Sequence, residues 1–89
     1  MLHTVSNSNI DIELINADDA VLFWQTGVIL AIKNNQQLIT ILAKTSHCYV
    51  LDNDIIARGL TPLIDERITI INMDEVIALT ERYYPQMKW

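Results

Sequence analysis

Short apolar runs alternate with polar, helix-type segments along this chain, and this alternation limits the fold more than any other feature. The strand-like runs are MLHTV, AVLFW, CYVL and ITII. AVLFW is apolar at every position, which is typical of a central parallel strand covered by helices on both sides. Strands that alternate with helices form parallel sheets through right-handed crossovers. We therefore predict an α/β fold, a small three-layer domain with a mostly parallel sheet of about four to five strands flanked by helices.

Helix signals lie between these runs. SNSN supplies N-cap residues ahead of Ile10 and Leu14, which recur at helical spacing. The stretch after Gly27 predicts a short helix that ends near Lys33. Gly59 follows IIAR and is a typical helix stop.

Two later segments differ in how clearly they indicate their structure. Residues 38–43 fit a helix or a strand, and their Ile and Thr content favours the strand. Asp74 and Glu75 are expected to open a final helix that Pro85 ends. Asp52 and Asp74, each of which follows an apolar run closely, are interpreted as helix N-caps.

The composition predicts a single domain with exposed apolar surface. The chain has 89 residues, of which 51% are hydrophobic and 19% charged. A body this small buries a reduced fraction of its surface, and large exposed apolar patches mark partner surfaces. We expect residues 1–89 to form one domain that assembles with other subunits. A monomer with scattered surface aliphatics is the alternative.

Charge and cysteine usage exclude several classes of protein. The net charge is −5 and the pI about 4.6, which argues against direct binding of nucleic acid. No apolar run approaches the roughly 20 residues that a membrane span needs, and MLHTV is not followed by a signal-peptide pattern. The single cysteine, Cys48, has no internal disulfide partner. A reducing cytoplasm is the expected location.

Gly27 stands between two apolar runs in QTGVIL, where a phosphate-binding loop would begin. A dinucleotide loop has three spaced glycines, and a P-loop ends in Gly-Lys-Ser/Thr. QTGVIL has neither pattern, so we interpret Gly27 as a turn residue. The carboxyl end of a strand is still the place where α/β folds bind ligands, and a small anion is the alternative.

His47 and Cys48 are neighbours and would resemble an activated thiolate pair. Neighbours on a strand point to opposite faces, so these two side chains cannot bond to each other. We expect Cys48 to be a buried small hydrophobe and His3 to be structural or solvated. The two histidines and one cysteine have no ligand spacing, so we predict no metal site and no cofactor. Asp52 follows a strand like a receiver-domain phospho-acceptor, but the other acids do not fit that pattern.

The tail YYPQMKW carries aromatic and methionine side chains, which are enriched at interfaces. Tyr84, Met87 and Trp89 are our candidates for contact with a partner. Folding of the tail onto the edge of the sheet is an equal alternative.

Four segments together resemble one family. They are MLHTV, VLFWQTGVILAI, YVLDNDIIARGL and the final QMKW. The set is similar to the DsrH/TusB family, which supplies the B subunit of the TusBCD sulfur-relay complex and related subunits in sulfur-oxidising bacteria. The likeness runs from Met1 to Trp89 and implies a DsrE-like fold.

The chain departs from the family pattern in places. Thr26 stands where the family commonly has an acidic residue. IDIELINA lacks the cysteine that some relatives carry in the first helix. Cys48 lies elsewhere, and so it inherits no persulfide role from the resemblance.

The resemblance implies a function that the residues alone do not give. Such complexes pass persulfide sulfur between proteins, and in the Tus branch the sulfur ends in 2-thiouridine at the tRNA wobble position. The relay cysteine of the sister D subunit follows a strand and opens a helix. The matching place here, Asp52 and Asn53, holds no thiol. The resemblance therefore implies a non-enzymatic structural subunit whose partners are the homologous C and D subunits, with self-association when isolated as a further expectation.

Three rival functions stay open. In the first, the chain accepts sulfur on the Cys48 thiol. In the second, it is a sulfur-oxidation subunit of the DsrEFH type. In the third, it is a binding module whose Gly27 loop holds a small anion. A reactive thiolate needs a cationic or helix-terminal setting, and none is evident around Cys48.

Overall fold

A computed structural model describes residues 1–89 and contains one five-stranded, all-parallel sheet with the strand order β4-β3-β2-β1-β5. The strands are β1 (Leu2–Val5), β2 (Ala20–Phe23), β3 (Cys48–Leu51), β4 (Thr69–Ile71) and β5 (Gln86–Lys88). The α-helices are α1 (Gln36–Lys44), α2 (Asp52–Ala57) and α3 (Met73–Arg82), and the 3-10 helices are Ile12–Leu14, Gln25–Ala31 and Thr61–Leu63. The predicted α/β fold is confirmed.

The handedness of the crossovers decides which face each helix covers. From β1 to β4 the chain adds strands in one direction, so right-handed connections place α1, α2 and the helix Gln25–Ala31 on the same face. From β4 the chain returns across the sheet to β5 beside β1. The same handedness then puts α3 on the opposite face, which gives the three layers.

The two faces bury cores of different size. The face under α1 and α2 holds a cluster of 14 buried residues that includes Phe23, Val50 and Ile55. The face under α3 holds a cluster of 7 buried residues that includes Leu22 and Leu79. Burying a side chain of this kind contributes about 1.5–3 kcal/mol. The larger core therefore carries most of the stability, and a single helix covers the other face.

The strand prediction for residues 38–43 is wrong, because these residues lie in α1. Asn35 caps the helix by accepting a hydrogen bond from the Leu38 N–H over 3.1 Å. Leu38 and Ile41 are buried at helical spacing, while Ile39 between them is 47% exposed. A crossover between parallel neighbours such as β2 and β3 needs a helix, and this requirement overrides the β propensity of Ile and Thr.

The predicted helix after SNSN is reduced to one 3-10 turn, Ile12–Leu14, capped by Asp11. Leu14 is 50% exposed, so the apolar spacing does not mark a buried face. Residues 6–19, which connect β1 to β2, therefore cross over with mostly irregular backbone. A helix is present near the predicted position, but it is the 3-10 helix Gln25–Ala31, which begins two residues before Gly27. Gly27 therefore lies inside this helix, and its interpretation as a turn residue is wrong.

The N-cap assignments of Asp52 and Asp74 are also wrong. Asp52 is the first residue of α2, and Asp74 lies inside the first turn of α3. Asn72 caps α3 in a capping box with Glu75, each side chain accepting from the other's backbone N–H over 2.9 and 3.2 Å. Both aspartates still favour their helices, because acids in the first turn interact well with the helix dipole.

Gly59 ends α2 as predicted. Its φ is +66°, and the N–H groups of Gly59 and Leu60 donate to the carbonyls of Ile56 and Ile55. This pair of bonds is a Schellman motif, which requires the left-handed conformation that glycine adopts without strain.

The tail folds back on the sheet. α3 ends at Arg82, shortly before Pro85, and residues Gln86–Lys88 form β5, which pairs in parallel with β1. The Trp89 N–H donates to the Thr4 carbonyl over 2.9 Å, and the Ser6 hydroxyl donates to the Trp89 backbone oxygen over 2.7 Å. The fifth strand is thus the tail and not the segment 38–43.

Candidate functional site

The Gly27 loop is closed by the protein's own backbone. A Cβ on Gly27 would lie 2.0 Å from the Val5 carbonyl oxygen, so the residue is glycine because the helix Gln25–Ala31 packs directly on the end of β1. The Gly27 N–H donates to the Trp24 carbonyl over 3.0 Å. This close approach, and not a cradle for a ligand, explains the glycine.

The neighbouring backbone donor is already occupied by an acid. The Gln25 N–H donates to the Asp54 carboxylate over 2.6 Å. This bond connects the start of the helix Gln25–Ala31 to α2. Arg58 is the basic side chain that approaches this carboxylate, at 3.8 Å. Asp52 and Asp54 both lie in the first turn of α2, next to this loop, so the local field repels a phosphate rather than attracting one. The anion-binding alternative is therefore disfavoured.

Cys48 lies at the amino end of β3 and is buried, with 1% of its surface exposed. Burial raises the pKa of its thiol to about 12. The thiol contacts the Thr45 carbonyl at 3.6 Å, and His47 beside it is exposed on the other side of the strand. The predicted buried state is confirmed. A thiol in this setting is inert at neutral pH, because only the thiolate is nucleophilic.

A buried polar network joins the amino end of the sheet to the tail. The Asp19 carboxylate lies 2.8 Å from His3 Nε2 and accepts from the Met1 ammonium over 3.2 Å and from the Asn16 N–H over 3.0 Å. Trp89 Nε1 donates to His3 Nδ1 over 3.1 Å. Because the indole N–H only donates, Nδ1 accepts and the ring proton lies on Nε2, facing Asp19.

This network is structural. His3 is 0% and Asp19 5% exposed, and no buried side-chain nitrogen or oxygen lacks a hydrogen-bond partner. Burial alone would raise the pKa of Asp19, but the bonds from Asn16, His3 and the ammonium outweigh it and hold the pKa below 3.8. With every member satisfied and no nucleophile in contact, the His–Asp pair positions β1, β2 and the tail.

The structure brings together no metal ligands. No group of three His, Cys, Asp or Glu side chains is arranged to hold a metal ion.

No helix has the length and apolar character needed to cross a membrane.

The three predicted partner residues lie along the tail but differ in exposure. Tyr84 is 83% exposed, just ahead of β5. Met87 is half-buried in the strand, and Trp89 is half-buried against the larger core and stacked on His3 with ring centroids 6.3 Å apart. The sheet-edge alternative thus describes Met87 and Trp89, while the free face of Tyr84 remains available to a partner.

A cleft of about 230 Å³ opens between α3 and the β3–β4 end of the sheet. Ile71, Ala78 and Leu79 provide apolar walls, and Tyr49 lies half-buried beside them. Burial, and after it the neighbouring Tyr83 phenol, raises the pKa of Tyr49. Arg82 completes the rim together with Glu75. The cleft combines apolar walls with two charged side chains at its rim, which suits a protein side chain.

Comparison with known proteins decides the family. Residues 5–86 match the family model described as DsrH like protein. The chain belongs to the DsrH family. Curated relatives named Protein TusB come from Yersinia enterocolitica serotype O:8 / biotype 1B, at 34% identity, and from Yersinia pestis strain Pestoides F and Yersinia pseudotuberculosis serotype O:1b, each at 35%. Each alignment covers 100% of this chain and 100% of the relative.

In this member of the DsrH family, the strand-to-helix junction after β3 is formed by Leu51, Asp52 and Asn53. The Asp52 carboxylate lies 2.6 Å from the Asn53 N–H and is thus directed at its own helix. The junction therefore offers carboxylate and amide oxygens and no sulfur.

Sequence reasoning missed the Asp19 network and the α3 cleft. Asp19 directly precedes β2, and His3 interrupts an apolar strand, so two polar side chains at neighbouring strands were a usable signal for the network. The cleft had no such signal, because Tyr49 and Arg82 come together only through the position of α3.

Proposed function

We propose that this chain is a non-catalytic structural subunit of a TusBCD-type sulfur-relay complex that supports 2-thiolation of the tRNA wobble uridine in the cytoplasm. The observation that carries the proposal is the state of the only cysteine. Cys48 is buried and its thiol pKa is raised to about 12, which does not suit a sulfur carrier.

The junction after β3 supports the same conclusion. In the related D subunit, as the resemblance implies, a cysteine at such a junction carries the persulfide. Here Asp52 occupies the place at the start of α2. Oxygen atoms do not form a persulfide, so this chain supports the relay through its contacts with the subunit that bears the thiol.

Its surface fits a role in assembly. Several large apolar side chains are exposed on different elements, among them Ile56 at 64%, Ile77 at 55% and Tyr84 at 83%. The excess of 11 acidic over 6 basic residues suits protein partners better than direct contact with tRNA. The proposed partners are the homologous C and D subunits.

Genetic complementation tests the proposal. A strain that lacks this chain is expected to lose 2-thiouridine from the wobble position of its tRNA, and Cys48→Ala is expected to restore it to the wild-type level. Modified nucleosides are measured by mass spectrometry, and complex assembly by co-purification with tagged C and D subunits. Loss of thiolation with Cys48→Ala, while the complex still assembles, would transfer the sulfur-acceptor role to Cys48.

Alkylation of Cys48 provides a direct chemical check. At about pH 8, a pKa of about 12 in place of 9.0 lowers the thiolate fraction about a thousandfold. We expect the native chain to react with iodoacetamide far more slowly than the urea-unfolded chain. Rapid, pH-dependent labelling of the native chain would contradict the non-catalytic role.

A further inference from the structure

The two edges of the sheet are protected to different degrees. On the β5 edge, Pro85 precedes the strand and Lys88 lies within it, and both residue types discourage pairing with another strand. On the other edge, β4 reads Thr69-Ile70-Ile71 with neither a charge nor a proline. Ile70 is 45% exposed. The outer row of N–H and C=O groups of β4 has no strand partner within the chain.

The α3 cleft lies beside this unprotected edge. Ile71 belongs to β4 and also lines the cleft, so the cleft lies directly beside the edge strand. An extended backbone pairs with such a row of donors and acceptors through main-chain hydrogen bonds. A side chain from such a strand, projecting towards α3, would meet the apolar walls formed by Ala78 and Leu79.

The charges of the cleft indicate what a complementary strand carries. Glu75 is engaged in the α3 capping box, where it accepts from the Asn72 N–H over 3.2 Å. Arg82 forms no ion pair, since every salt bridge of the chain lies elsewhere. The cleft therefore presents the unpaired Arg82 guanidinium next to apolar walls, with the Glu75 carboxylate held at the start of α3. Its complement is an aliphatic side chain accompanied by a carboxylate.

We propose that the β4 edge and the α3 cleft together form the docking surface for an edge strand of a partner subunit. The strand adds to β4 through main-chain hydrogen bonds, places an aliphatic side chain in the cleft and pairs a carboxylate with Arg82. A second copy of β4 fits less well, because Thr69-Ile70-Ile71 carries no acid for Arg82. This assignment rests on the proposed subunit role and names the surface that performs it.

Co-purification with tagged C and D subunits tests the surface. Ile70→Lys adds a charge to the edge and is expected to lower recovery of the complex about tenfold or more. Ile39→Lys is the matched control, because Ile39 is 47% exposed on α1, which connects β2 to β3 and lies away from the β4 edge. It is expected to leave recovery within about twofold. Thermal unfolding of the isolated chains establishes that both variants fold.

Arg82 gives a second, independent readout. Arg82→Gln is expected to lower recovery about fivefold, and Arg82→Lys to restore most of it, because the interaction needs the charge. Hydrogen exchange on the wild-type complex is expected to show slower exchange at the β4 amides than in the free chain, as strand addition requires.

The outcomes separate the docking surface from the subunit role. Normal assembly of Ile70→Lys, unchanged exchange at β4 or an equal loss with Ile39→Lys would overturn the surface while leaving the subunit role intact. Failure of the wild-type chain to recover either partner subunit would overturn the subunit role, and this surface with it.

Discussion

The two glycines are fixed by different physical requirements. Gly27 has no room for a Cβ, because the Val5 carbonyl oxygen would lie 2.0 Å from it. Gly59 has open space around it but a φ of +66°. Steric exclusion by backbone is the more severe requirement, because backbone cannot move aside like a flexible side chain.

Alanine at each glycine should separate the two requirements. Gly27→Ala is expected to lower the free energy of unfolding by about 3 kcal/mol or more, because the helix Gln25–Ala31 must move away from β1. Gly59→Ala should cost only about 1–2 kcal/mol of left-handed strain. Urea denaturation measures both values. A smaller loss at Gly27 than at Gly59 would mean that the loop yields easily and is not fixed by this contact.

Asp19 makes the stability depend on pH. Its pKa is lowered in the folded state, so its contribution is fully present above the unfolded value of 3.8 and is lost as the pH falls towards the lower folded value. Asp65, held by Arg67 at a pKa of about 2, adds a loss in the same direction. Acid is thus expected to destabilise the fold in this window.

Comparison of variants isolates the share that belongs to Asp19. Asp19→Asn is expected to cost about 1–3 kcal/mol at neutral pH and to lose less than the wild type between about pH 5 and pH 3. Asp18→Asn is the control, because Asp18 is the adjacent residue and its side chain is exposed. Urea midpoints across this range provide the measurement. Identical acid sensitivity of Asp19→Asn and the wild type would assign the pH dependence to other groups.

At the scale of elements, β5 depends on contacts made by residues far along the chain. Its three residues pair with β1. Two hydrogen bonds hold the following Trp89: the indole N–H donates to His3, and the Ser6 hydroxyl donates to the Trp89 backbone oxygen. A strand this short has little stability of its own, so the tryptophan and the pairing support each other.

Substitution of Trp89 should show how this strand is held. Trp89→Phe keeps an aromatic ring but leaves His3 Nδ1 without its donor, which should cost about 1–2 kcal/mol. Trp89→Ala also loses ring packing and should cost about 3 kcal/mol. Lys88→Ala, at the exposed neighbouring position, should cost little. These values come from urea denaturation, and equal stability of Trp89→Phe and the wild type would exclude a contribution from the indole bond.

The elements also differ in how well local pattern predicts them. The runs that became β1 to β4 are recognisable, because each is a short segment rich in apolar and β-branched residues between polar segments. The helix α1 is not, because its Ile and Thr residues fit either structure. The tail QMKW shows no strand pattern, since its pairing with β1 depends on the return crossover through α3.

At the scale of the whole molecule, exposed apolar groups lie on opposite edges of the sheet. Ile70 lies on the β4 edge, whereas Tyr84 precedes β5 at the other edge. A subunit that contacts two neighbours needs two such surfaces. This arrangement suits the proposed place between two homologous partners.

Tyr84 is the cleanest probe of the second surface. At 83% exposure its side chain makes little internal packing, so Tyr84→Ala should change the free energy of unfolding by less than about 0.5 kcal/mol. Recovery of the complex is nevertheless expected to fall about tenfold, as for a buried interface aromatic. Leu14→Ala, at an exposed aliphatic on another element, is the control. Full recovery of the complex with Tyr84→Ala would remove this residue from the interface.

The sequence by itself determined where β1 to β4 lie, the parallel arrangement, the helix end at Gly59 and the burial of Cys48. Each of these depends on residues close together in the chain or on the alternation of strands and helices. The sequence also determined the family, through a pattern that extends over the whole chain. Tertiary structure alone decided that residues 38–43 are helical, that the tail supplies the fifth strand, and that His3, Asp19 and Trp89 form one network. The physical reason is that sheet order and crossover handedness set which distant residues meet. Local propensity depends only on residues near in sequence, so it does not predict these long-range contacts.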